Sequence, residues 1–72
     1  MGELITMPLA GSVALPDVRG EHRTLQVTWH GGERVVVLST WRFGRCVATV
    51  RLSRQEVAAL IGLLAEGLAG GA

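Results

Sequence analysis

The fold is decided by residues 23–68, which read RTLQVTWHGGERVVVLSTWRFGRCVATVRLSRQEVAALIGLLAEGL. Apolar and polar side chains alternate over residues 23–30, which predicts a half-buried strand. Residues 34–42 carry apolar side chains at both odd and even positions, as expected of a central strand that is covered on both sides. Residues 45–52 alternate again. The pattern therefore predicts an antiparallel meander.

A helix is predicted directly after the third strand, over residues 53–69. Ser53-Arg54-Gln55-Glu56 has the sequence of a capping box, in which the serine and the glutamate satisfy each other's backbone N–H groups. At about 100° per residue Leu63 lies roughly 130° from the centre of the apolar stripe, so it is expected outside the packed face. The stripe consists of Val57, Leu60, Ile61, Leu64 and Leu68.

Two glycine-containing turns set the expected register. A two-residue turn at Phe43-Gly44 pairs Trp41 with Cys46, and Val37 with Val50. A three-residue loop over residues 31–33, with a glycine in the left-handed conformation, would then place the first strand's apolar residues on that same face. The predicted core is Trp29, Val37, Trp41, Val50, Leu60 and Leu64, with Cys46 buried beside Trp41, and the predicted outer face holds Val36, Leu38, Val47 and Arg51.

The chain of 72 residues is predicted to be a single α+β domain, residues 1–72. The architecture is a three- to four-stranded antiparallel β-meander with one C-terminal helix packed on one face. Residues 1–22 are expected to form an N-terminal arm or edge strand, because prolines and glycines interrupt them. The meander takes residues 23–52 and the helix residues 53–69.

Charge and hydropathy argue against a membrane protein and a secreted one. The formal net charge is +1, and no apolar run approaches the roughly 20 residues of a membrane span. Glu3 stands where a signal peptide would carry a basic residue. With a single cysteine, Cys46, no disulfide can form within the chain. The expected compartment is the cytoplasm.

No constellation of side chains predicts catalysis. His22, His30 and Cys46 are the soft metal ligands, and their spacing fits no closed zinc pattern. The serines lie outside a nucleophile-elbow context, and the acidic residues include no pair on a shared strand face. The sequence is therefore predicted to encode a non-enzyme without metal or cofactor.

A small size and a high apolar content favour a homodimer. A chain of this length buries only about 60% of its unfolded surface, so its own core is marginal. Neither a disulfide nor a metal is available, whereas 49% of the residues are hydrophobic. The leading prediction is a small, non-catalytic, homodimeric interaction or regulatory module, and a partner protein is also possible. Residues expected at the interface are Leu63 on the helix, and Val36, Leu38 and Val47 on the sheet.

The arginines support an alternative function. All seven basic residues are arginine, a residue that binds phosphate in a bidentate manner. An arginine-bearing sheet face could follow the backbone of a single-stranded nucleic acid in a transcription-associated role. The residues proposed for that face are Arg23, Arg34, Arg42, Arg45 and Arg51.

The segment from Trp41 to Leu52, with the helix over residues 57–68, resembles a group of small proteins from high-GC actinobacteria. That group shares a Val-Val-Leu-Ser-x-Trp-Arg strand, a Cys-containing strand and a Leu-rich helix. The resemblance implies an actinobacterial source and no particular chemistry. More remotely, the order of sheet and helix resembles the positive-cofactor-four family of transcriptional coactivators, which implies helix-mediated dimers and single-strand binding on the sheet.

Overall fold

A computed structural model describes residues 11–71 as one open sheet of four antiparallel strands followed by a helix. The α+β meander is thus confirmed, with four strands. The strands stand side by side in chain order, so β1 and β4 are the edges. Residues 1–10 of the predicted arm lie outside the described part of the chain. The elements are β1 Ser12–Pro16, β2 Arg23–His30, β3 Val35–Arg42, β4 Arg45–Ser53 and α1 Arg54–Gly70.

The turn between β3 and β4 has the predicted two residues. Phe43 and Gly44 both have positive φ, 52° and 77°, as a type I′ hairpin turn requires. Arg42 therefore lies opposite Arg45, and Trp41 lies opposite Cys46.

Beyond Trp41 the predicted register is wrong, because β4 contains a bulge. Thr40 pairs with Ala48 while Trp41 pairs with Cys46, so Val47 is an extra residue without a partner. The insertion shifts every later pair by one residue. Val37 pairs with Arg51 instead of Val50.

The loop between β2 and β3 has four residues, not the predicted three. Gly31 to Arg34 connect the strands, with the Glu33 N–H donating to the His30 carbonyl at 3.1 Å and the Arg34 N–H donating to the Gly31 carbonyl at 3.2 Å. The left-handed position is occupied by Arg34, with φ 59°, and by neither glycine. Because the loop has an even number of residues, Trp29 lies opposite Val36. The side chains of β2 therefore point to the opposite face of the sheet from the one predicted.

Trp29 and Trp41 consequently lie on opposite faces of the sheet, and the predicted single core is wrong. The helix packs on the face that carries Trp29, which we call the covered face; the other is the open face. Val36 and Leu38, expected on the outside, lie on the covered face instead. Directly paired residues share a face, so the covered face holds Val13, Leu15, Leu25, Val27, Trp29, Val36, Leu38, Val50 and Leu52.

On the open face, Trp41 and Ser39 form a local polar contact. The Trp41 Nε1–H donates to Ser39 Oγ at 2.9 Å, and the Ser39 hydroxyl donates to the Gln26 carbonyl at 3.4 Å. Ser39 is buried as a result, with 8% of its surface exposed. The indole N–H is satisfied, so Trp41 closes a small polar patch and does not join the apolar core.

The capping box at the start of α1 is confirmed. The Glu56 N–H donates to Ser53 Oγ at 3.3 Å, and the Ser53 N–H donates to Glu56 Oε1 at 2.9 Å. Gly71, in the left-handed conformation with φ 69°, ends the helix. Val57 lies beside Val36, Val27 and Val13 on the covered face, which fixes the start of the helix there.

Candidate functional site

The second half of α1 projects an apolar surface that its own sheet does not bury. Val57 and Leu60 are half-buried, but the same stripe continues into exposed residues. The expectation that the sheet covers the whole stripe is therefore wrong, whereas Leu63 does lie outside the packed side, as predicted. The exposed fractions are 61% for Ile61, 65% for Leu63, 57% for Leu64 and 86% for Leu68, and we call these four residues the apolar helix surface.

Charge is nearly absent from this helix. After the capping residues, Glu66 is the single charged residue between Val57 and Gly70. A helix on the surface of a monomer normally carries a polar side, and one that is apolar all round is normally buried. The composition of α1 is therefore that of a helix with neighbours on more than one side.

The sheet below the helix start is also incompletely covered. Among residues 11–71, Val36 is the one hydrophobic residue that is buried, with 6% of its surface exposed. Trp29 and Val50 on the covered face remain exposed. A shallow apolar cavity of about 300 Å³ lies between Val57, Trp29 and Val13. The covered face and the apolar helix surface therefore form adjoining apolar regions.

The four residues predicted at the dimer interface occupy different environments. Leu63 is exposed on the helix, as expected. Val36 is buried and Leu38 half-buried on the covered face, so neither belongs to an outer sheet surface. Val47 is exposed in the bulge of β4. The structure therefore leaves the helix, and not the open face, as the larger unburied apolar region.

The five arginines predicted to bind nucleic acid do not form one surface. Arg51 lies on the open face and bonds to Glu33, with 3.1 Å between Nη1 and Oε1. Arg34 is in the loop between β2 and β3, at the far end of the sheet from the β3–β4 turn. The structure brings three of them together in one row across neighbouring strands: Arg23, Arg42 and Arg45.

A cavity of about 570 Å³ adjoins this row at the end of the sheet. We call it the sheet-end pocket. Leu15, Leu25 and Val47 provide part of its apolar lining. Arg19, Arg23 and Arg42 supply positive charge to its lining, together with the carboxylate of Asp17.

Arg19 and Asp17 are joined by a bidentate ion pair in the loop between β1 and β2. Arg19 Nη2 donates to Asp17 Oδ2 at 2.7 Å, and Nε donates to Oδ1 at 3.1 Å. The Arg19 side-chain hydrogen bonds, helped by the Arg19 backbone N–H, lower the pKa of Asp17 from 3.8 to about 2. The same bonds raise the pKa of Arg19. Asp17 is thus ionised across the physiological pH range.

An aromatic pair borders the arginine row. The rings of His22 and Phe43 stack with 4.7 Å between centroids, and the guanidinium carbon of Arg42 lies 5.6 Å from the Phe43 centroid. Phe43 is 66% exposed at the tip of its turn. Cation–π attraction of this kind holds an arginine near a ring.

Sequence reasoning missed Asp17, Arg19, His22 and Phe43 as neighbours of the arginine row. The Asp17-x-Arg19 spacing within a glycine-containing turn was the available signal for the ion pair, because aspartate side chains bond to backbone two residues on. His22 and Phe43 meet across two different connections, through a hydrogen bond from the Phe43 N–H to the His22 carbonyl at 3.2 Å. No local pattern encodes that contact.

Cys46 is exposed, which corrects its expected burial beside Trp41. Its Sγ lies 3.8 Å from the Ala48 carbonyl oxygen. Within residues 11–71, no three side chains of histidine, cysteine, aspartate or glutamate converge on a common point that could hold a metal ion.

Comparison of the chain with protein-family models, with curated proteins and with solved structures finds no match. Over the part of the chain that the structure describes, α1 is too short to cross a bilayer as an apolar span.

Proposed function

We propose that this protein is a non-catalytic homodimeric interaction module that pairs through the apolar helix surface. The observation that carries the proposal is the exposure of Ile61, Leu63, Leu64 and Leu68 on a helix with one charge after its capping turn. Isologous pairing is the commonest solution for a self-complementary patch of this kind. Regulation or scaffolding would then depend on the two-fold assembly and not on a reaction.

Burial supplies the driving force for this pairing. Fully burying a leucine or isoleucine side chain contributes roughly 1.5–3 kcal/mol, and four such residues are more than half exposed in the isolated chain. A domain with one buried large hydrophobic residue in its described part has little stability of its own. The dimer would therefore supply a large share of the folding free energy.

A cytoplasmic location fits the exposed cysteine. Cys46 is a free thiol at the surface, and such thiols persist in reducing compartments.

Sedimentation equilibrium at micromolar concentration tests the proposal, with an expected mass of twice that of the chain. Leu63→Glu should convert the dimer into monomer, because it places a charge in the contact. Gln55→Glu is the matched control: it adds the same charge to the first turn of the same helix, about 12 Å along the axis from Leu63 and about 120° around the helix from Ile61, and should leave the dimer intact.

A wild-type monomer with a cooperative melt independent of concentration would falsify the dimer. A dimer that survives Leu63→Glu as well as Gln55→Glu would place the interface on the sheet instead of the helix.

A further inference from the structure

The sheet-end pocket combines an apolar lining with positive charge, a combination that the proposed dimer does not use. Its volume of about 570 Å³ lies within the range of pockets that hold small molecules. Leu15 and Leu25 come from neighbouring strands, and Val47 comes from the bulge of β4. The pocket therefore depends on the bulge for one of its walls.

The charges around the pocket are unevenly compensated. Arg19 is paired with Asp17, and Arg23 Nη2 lies 3.2 Å from Glu21 Oε1. Among residues 11–71, no carboxylate lies within 4.0 Å of the Arg42 guanidinium. Arg42 is thus the one pocket-lining arginine without a carboxylate partner among residues 11–71, and Arg45, its neighbour in the row, also has none but does not line the pocket.

The strand register places the charge of Arg42 opposite two like charges, which destabilises the sheet. Arg42 lies directly opposite Arg23 on β2 and opposite Arg45 on β4. Like charges in directly opposed positions destabilise a sheet. An anion bound beside Arg42 would offset this repulsion. The Phe43 ring, with its centroid 5.6 Å from the guanidinium carbon, restricts where the guanidinium can point.

We propose that the sheet-end pocket binds a small organic monocarboxylate with an apolar body. Arg42 receives the carboxylate in a bidentate pair, with Arg23 beside it, and the apolar body lies against Leu15, Leu25 and Val47. One uncompensated charge matches a monoanion better than a phosphate dianion. The apolar lining favours an aromatic or branched body over a sugar.

The test uses 2-naphthoate as the probe and the full-length ¹⁵N-labelled protein. Titration followed by ¹H–¹⁵N NMR should move the amide signals of Leu25, Thr40 and Arg42, which line the pocket. The neutral analogue 2-naphthamide, which has the same ring system, should bind about tenfold more weakly because it lacks the charge. This comparison needs no substitution and holds even if a variant fails to fold.

Two arginine variants then test whether Arg42 is the residue that binds the carboxylate. Arg42→Gln should weaken naphthoate binding by about tenfold, the loss of one charge-assisted contact. Arg51→Gln makes the same change in charge on the open face, where Arg51 bonds to Glu33, and should alter the dissociation constant less than twofold. Equal effects of the two substitutions would show a general charge effect and overturn the proposal.

Three other results would also overturn it. Naphthamide could bind as tightly as naphthoate, or the shifted signals could fall on the apolar helix surface. Alternatively, oligothymidine could shift the pocket residues while naphthoate does not, which would assign the arginine row to nucleic acid. The two proposals fail separately, because sedimentation of the ligand-free protein tests pairing through the helix, whereas the naphthoate titration tests binding at the pocket residues.

Discussion

Val36 and Val37 are neighbours in β3 with different surroundings. Val36 faces α1 and is buried, whereas Val37 faces the open side of the sheet, opposite Arg51, and is half-buried. Val36→Ala should lower the free energy of unfolding by about 2 kcal/mol, because it leaves a cavity under the helix. Val37→Ala is the control and should cost less than about 1 kcal/mol.

Urea denaturation of the two variants measures the difference. A larger loss for Val37→Ala than for Val36→Ala would contradict the observed register and restore the one predicted from a three-residue loop.

Asp17 should titrate far below an ordinary aspartate. Its pKa is lowered to about 2 by Arg19, so the carboxyl carbon signal followed by NMR should show a midpoint near 2. The stabilising contribution of the pair is present above pH 3.8, the ordinary value, and is lost as the pH falls through 2. Arg19→Gln should move the midpoint back toward 3.8, and Arg54→Gln, on the helix, should not. A wild-type midpoint near 3.8 would show that the ion pair is absent in solution.

At the scale of the elements, the start of α1 depends on the side chain of Ser53. Ser53→Ala removes the acceptor of the Glu56 N–H and should cost about 1 kcal/mol. Glu56→Gln is the control, since glutamine also serves at that position of a capping box, and it should cost much less. Thermal denaturation followed by circular dichroism measures both. Equal losses would mean that the charge of Glu56 contributes as much as the Ser53 acceptor.

Element types and limits could be predicted from the sequence because each has a local signal. The Phe43-Gly44 turn, the Ser53 cap and the alternation of β2 were all visible in the order of residues. The face of β3 that lies on the same side of the sheet as the apolar side chains of β2 could not be predicted in this way. Because β3 is apolar at both parities, either face of that strand could meet the apolar side of β2.

The length of the β2–β3 loop decides which side chains of β2 and β3 share a face of the sheet. The left-handed residue of that loop is Arg34, where a glycine was expected. Val47 added a second shift, since nothing in its own sequence context distinguishes a bulged valine from a paired one. For the same reason the arginine row was only partly predictable. Arg42 and Arg45 follow from the turn, whereas their neighbour Arg23 depends on the loop length.

At the scale of the whole molecule, an obligate dimer should melt at a temperature that depends on protein concentration. Mass action favours the assembled state, and a tenfold increase in concentration should raise Tm by about 5 °C for a dimer of this size. Scanning calorimetry over two decades of concentration measures the slope. Leu63→Glu should abolish the slope, and Gln55→Glu should retain it. A flat wild-type dependence would contradict dimeric unfolding.

The bulge at Val47 also bears on how far such an assembly can grow. The outer edge of β4 carries unpaired backbone groups that could recruit another chain, strand against strand. A bulge bends that edge and interrupts its regular spacing, and the opposite edge, β1, is five residues long and ends at Pro16, which has no N–H to offer. Within residues 11–71, both edges of the sheet are thus poor templates for fibre growth, and this would limit self-association to the proposed closed pair.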